Sequence, residues 1–124
     1  LLASGESARF TGATMRVNGS RYDLRGGNCV DDSSLMGIRM GVLAEPIALP
    51  RGVLLIAIYG PRGAAPYRIH ETSTPARVFA FVQAPGFSGP ARKGGTVTVD
   101  QGRRSGTFAL RVAGRRVSGS WTCG

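Results

Sequence analysis

The chain has 124 residues, 42% of them hydrophobic, and a formal net charge of +9 from 16 basic and 7 acidic side chains. That length suits one domain with a core of its own, and the apolar runs stop well short of the ~20 residues that a membrane-crossing helix needs. Nineteen glycines and seven prolines, spread rather than clustered, exclude long helices and point to many short strands joined by turns.

The opening Leu1-Leu2-Ala3-Ser4-Gly5 has the look of the tail of a secretory signal or of a lipobox, with Gly5 where a lipidated cysteine would stand. Residues 1–7 are read as a flexible segment and 8–124 as a single all-β domain. Ala8–Val17 and Ser20–Leu24 flank Asn18-Gly19, a strong hairpin signal because a type I′ turn needs positive φ at both positions. Met15, Val17, Tyr22 and Leu24 supply the core face of that hairpin. Arg25–Asn28 reads as a glycine-rich loop leading into Cys29, and Asp31-Asp32-Ser33-Ser34 as a polar turn.

Leu35–Ala44 alternates, with Met36, Ile38, Met40 and Val42 on one face and Gly37, Arg39 and Gly41 on the other. Glu45–Gly52 is a proline-bearing loop. Val53–Tyr59 is apolar throughout and bounded by glycines, the pattern of a central strand covered on both faces. After the turn-rich 60–66, Tyr67–Glu71 is a short strand. Arg77–Ala84 alternates again, Val78, Ala80 and Val82 against Phe79 and Phe81. Pro85–Gly94 is the longest irregular stretch. Thr96–Asp100, Gly106–Val112 and Val117–Cys123 form a closing meander that puts Val117, Gly119, Trp121 and Cys123 on one face. The expected fold is a single antiparallel β-sandwich or small barrel of eight to nine short strands.

Chemistry-bearing residues are few. Cys29 and Cys123 lack the CxxC or histidine neighbours of a zinc site. One intramolecular pairing is possible, closing a loop of roughly 95 residues that would contribute about 4–5 kcal/mol on the chain-entropy model. Such a bridge implies an oxidising, extracytoplasmic compartment. The single histidine, His70, stands beside Glu71. A secreted hydrolase using His70, oriented by Glu71 or Asp23, is one alternative, without a G-x-S-x-G elbow to support it. Asp31 and Asp32 lack the ligand ladder of a calcium loop, and no metal or cofactor is expected.

All basic residues but Lys93 are arginine, a bias that GC-rich coding also favours. Between Arg92 and Arg116 seven cations face one acid, Asp100. Arg103-Arg104 and Arg115-Arg116 flank successive turns and form a candidate site for a polyanion or an anionic lipid surface. Alternate turns of a meander lie at opposite ends of the sheet, so the two pairs are expected to stay apart. A nucleic-acid partner is disfavoured, because no basic strand is interleaved with aromatics. Ile47, Leu49 and Phe87 are apolar residues read into loops, where they would either cap the sandwich or form a rim for an apolar ligand or partner.

The glycine-rich opening strand before Val17-Asn18-Gly19, then Cys29, Ser105-Gly106-Thr107-Phe108 and the ending Val117-Ser118-Gly119-Ser120-Trp121-Thr122-Cys123 together resemble small actinobacterial envelope lipoproteins, the mycobacterial lipoprotein-antigen group among them. The resemblance implies a compact β-domain in the cell envelope, secreted or lipid-anchored upstream, with a non-catalytic binding or accessory role. It implies an envelope protein as a partner and names no ligand. This chain differs from those antigens in its strong positive charge and in carrying Gly5 at the lipobox position.

Overall fold

The computed structural model describes residues 11–32, 34–41, 52–60, 63–69, 78–84 and 86–124. They form eleven strands: β1 (Gly12–Val17), β2 (Ser20–Arg25), β3 (Gly27–Asp31), β4 (Leu35–Met40), β5 (Val53–Tyr59), β6 (Ala65–Arg68), β7 (Val78–Ala84), β8 (Phe87–Pro90), β9 (Thr96–Val99), β10 (Ser105–Val112) and β11 (Arg115–Thr122). A six-stranded sheet runs β2-β1-β11-β10-β9-β6 and a five-stranded sheet β3-β4-β5-β7-β8, antiparallel throughout. The inward residues of both sheets merge into one core, so the fold is the expected all-β sandwich.

The strand count exceeds the expected eight to nine, and the reason is local. Arg25–Asn28 was expected as loop, yet β2 passes through Gly26 (φ 79) and Gly27 (φ 140) and continues as β3 in the other sheet. An ideal Cβ on Gly27 would lie 2.0 Å from the Arg39 carbonyl oxygen, so only glycine allows β3 to approach β4 there. Likewise Phe87–Pro90 was read as irregular. Its pairing with β7 makes it a strand, and Ala91 then bridges to Val112 and carries the chain back into the six-stranded sheet. Neither segment alternates; pairing with a neighbour decides both.

Elsewhere the patterns hold, except that β6 begins at Ala65, inside the expected loop 60–66, where it pairs with β9. Asn18 (φ 50) and Gly19 (φ 85) form the turn of the first hairpin. Met15, Val17 and Leu24 are buried beneath it, and Tyr22 packs at the core's margin. The bounds of β5 match expectation and the strand is third of five. Its cover is uneven, however: Leu54, Ile56 and Ile58 are buried on one face, while on the other Val53 is buried, Leu55 and Ala57 are half-buried and Tyr59 is exposed.

The β3–β4 turn is organised by Asp32, whose Oδ1 accepts from the Ser34 amide at 2.7 Å, the Ser34 hydroxyl at 2.8 Å and the Leu35 amide at 2.9 Å. These bonds hold the carboxyl below its ordinary 3.8, the Ser34 hydroxyl contributing most. With the folded value depressed, the turn's contribution is complete above about pH 4 and is lost as pH falls through the folded value. Thermal melts between neutral pH and pH 2.5 are expected to show an acid-induced drop that is smaller in Asp32→Ala. An identical drop in the variant would rule this turn out as a source of acid sensitivity.

Candidate arginine and hydroxyl face

Strand alternation sends one set of side chains from the six-stranded sheet to solvent, and these are almost all hydroxyls and arginines. Thr14 and Arg16 point outward from β1, and Arg21, Asp23 and Arg25 from β2. Arg116, Ser118, Ser120 and Thr122 do so from β11, Thr107 and Arg111 from β10, and Thr96 and Thr98 from β9. Register then brings the cations together. Arg16 lies directly opposite Arg21, and Arg111 directly opposite Arg116. Since Arg16 also faces Ser118, Arg116 is its diagonal neighbour at about 7 Å. The Arg111 side chain runs beside Gly94, which sets the exposed Lys93 turn next to the same cluster.

Arg21 donates through Nε to Asp23 at 3.0 Å. No acid among the described residues pairs with Arg16, Arg111 or Arg116. Two like charges ~7 Å apart in water repel by only about 0.6 kcal/mol. The fold therefore tolerates the cluster, whereas an anion touching several of these groups at once gains from each. Asp23 lies among the cations as the outward acid of β2. Its carboxyl is lowered from 3.8, first by the Arg21 hydrogen bond, which desolvation opposes, and further by Arg21's charge, the Thr14 hydroxyl and Arg25.

The four arginines singled out from sequence do not meet. Arg103 and Arg104 sit before β10 and Arg115 and Arg116 begin β11, at opposite ends of an eight-residue strand, about 24 Å apart. Arg103, at φ 61, pairs with Asp31, and Arg104 donates to the Gly124 carbonyl. Arg115 points inward, its guanidinium 4.8 Å from the centre of the Phe87 ring. Arg116 alone of the four belongs to the outer cluster. Phe87 lies on β8, not in a loop, and packs against the core. Ile47, Leu49, His70 and Glu71, like segment 1–7, lie outside the described residues.

Sequence reasoning missed Arg16, Arg21 and Arg111 as a group. Each reads as an ordinary polar position of an alternating strand, and only the β1–β11 pairing unites the first hairpin with the last.

Cys29 and Cys123 form the expected disulfide, joining β3 of one sheet to the residue after β11 of the other, with Cα atoms 6.0 Å apart. Among the described residues no three His, Cys, Asp or Glu side chains cluster as metal ligands, and no helix is long and apolar enough to cross a membrane. The outer face of the five-stranded sheet has the opposite character: Val30, Tyr59 and Phe79 are exposed there, Leu55 and Phe81 half-buried, and Arg39 is the charge among them. The two outer faces are thus polarised, cationic on one sheet and apolar on the other. No family model, curated protein or solved structure matches the chain.

Proposed function

We propose that the protein is an exported, non-enzymatic binding protein of the bacterial cell envelope, and that it holds an anionic polymer on the outer face of its six-stranded sheet. The observation that carries this reading is the cluster of Arg16, Arg21, Arg111 and Arg116 on adjoining strands, three of them without an acidic partner among the described residues. Rigid strands fix the spacing of the four arginine backbones in advance, so the ordering that accompanies binding is confined to their side chains, and each guanidinium offers a planar fork of donors to carboxylate or phosphate. The disulfide supports an extracytoplasmic setting, in keeping with the envelope lipoproteins that the sequence resembles.

Binding of fluorescently labelled polyphosphate, followed by anisotropy at rising salt, tests the reading. Affinity is expected to fall steeply with salt. Arg111→Ala with Arg116→Ala is expected to weaken binding by about tenfold or more, equivalent to about 1.4 kcal/mol, at an unchanged melting temperature. Arg103→Ala with Arg104→Ala, at the far end of the sheet, is expected to leave affinity within about twofold. Equal losses in the two double variants, or binding indifferent to salt, would overturn the proposal.

A further inference from the structure

Beside the arginine cluster the same face is indented. Between Arg25 of β2 and Thr122 of β11 the middle strand contributes Gly12, which has no side chain, and a groove of about 250 Å³ opens there. Its walls carry Thr14, Arg21, Asp23, Arg25, Ser120 and Thr122. That volume lies below the roughly 300–1,000 Å³ of drug-sized sites and suits one small ring.

The groups in the groove are of mixed polarity. The three hydroxyls both donate and accept, Arg21 and Arg25 donate, and the ionised Asp23 accepts only. Asp23 receives Thr14 Oγ1 at 3.3 Å and Arg21 Nε at 3.0 Å, both on Oδ1, and Oδ2 takes part in neither bond. A bare polyanion has no hydrogen to offer this carboxylate and is repelled by it. A ring bearing neighbouring hydroxyl groups satisfies acceptor and donors alike. Thr14 is two residues from Arg16 on β1, about 7 Å, so an acidic substituent on that ring or on the next reaches the cluster. No aromatic side chain points outward from this sheet among the described residues, so hydrogen bonds and charge, without ring stacking, supply the recognition.

From this geometry we infer that the polymer is an acidic polysaccharide, one sugar ring seated in the Gly12 groove and its acidic groups on Arg16 and Arg116. The inference rests on the anionic-polymer reading above and adds the ligand's class. Titration with an oligogalacturonate and with polyphosphate of equal charge tests it. The oligogalacturonate is expected to bind at least tenfold more tightly. Asp23→Asn and Ser120→Val are each expected to weaken it about fivefold to tenfold while polyphosphate binds as well or better, since one repulsive charge has gone in the first variant. Polyphosphate binding equal to or tighter than oligogalacturonate, or losses shared by both polymers in these variants, would overturn the sugar assignment and leave the anionic-polymer reading standing. Failure of both polymers to bind would remove the two together.

Discussion

Reduction of the Cys29–Cys123 bridge is expected to lower the melting temperature by about 16–20 °C. The bridge spans 94 residues, and on the chain-entropy model opening such a loop costs about 4–5 kcal/mol through the greater freedom of the unfolded chain. For a domain of this size each kcal/mol shifts the midpoint by about 4 °C. The folded state contributes in the same direction. β3 is the edge strand of its sheet, is mostly exposed, and pairs with β4 alone, so the covalent tie to the end of β11 holds that edge against the second sheet. Melts with and without reductant, and of Cys29→Ala with Cys123→Ala, measure the effect. A shift of only a few degrees would mean that sheet packing by itself confers most of the stability.

Trp121→Ala should destabilise the fold by about 3–5 kcal/mol, the range for removing a large buried aromatic. Trp121 is 1% exposed and is the largest fully buried side chain of the core. The space it occupies was made by a glycine: an ideal Cβ on Gly106, directly across the ladder, would lie 2.3 Å from the tip of the indole and 2.4 Å from the Thr98 carbonyl oxygen. Gly106→Ala is therefore expected to cost about 1–3 kcal/mol by overpacking. Trp121→Phe should be the mildest of the three, because the indole N–H meets no protein acceptor among the described residues and its removal breaks no hydrogen bond. Denaturant unfolding of the three variants gives the order. A cost under about 1 kcal/mol for Trp121→Ala would show that the core closes readily over the gap.

The candidate face and the fold differ in how far they could be read in advance. Strand pairing places Arg16, Arg21, Arg111 and Arg116 on one surface, yet 90 residues separate Arg21 from Arg111 along the chain. Arg103-Arg104 and Arg115-Arg116 are conspicuous as runs, and the runs proved to lie at opposite ends of the β10–β11 pair, with separate neighbours: Asp31, the Gly124 carbonyl and the Phe87 ring. Adjacency along a strand sends neighbouring side chains to opposite faces, so a dibasic pair in a β-protein divides itself between two environments. Arg115 and Arg116 do so here, one turned inward over Phe87 and the other outward.

Local chemistry was sufficient for whatever depends on period and on turn geometry. Alternation marked the inward faces of β1, β4 and β11 and separated the two faces of β7, Asn18-Gly19 marked the first hairpin, and the only two cysteines allowed a single bridge. Pairing between strands distant along the chain was beyond that reach, because no turn joins them and alternation by itself names no partner. Tertiary structure alone decided that β1 lies against β11, that Gly26 and Gly27 turn one strand into two, that the second face of β5 is covered at Val53 and open at Tyr59, and that Gly12 opens a groove beside an arginine cluster. Each of these rests on which backbone lies next to which, and that is settled only when both sheets close over a common core.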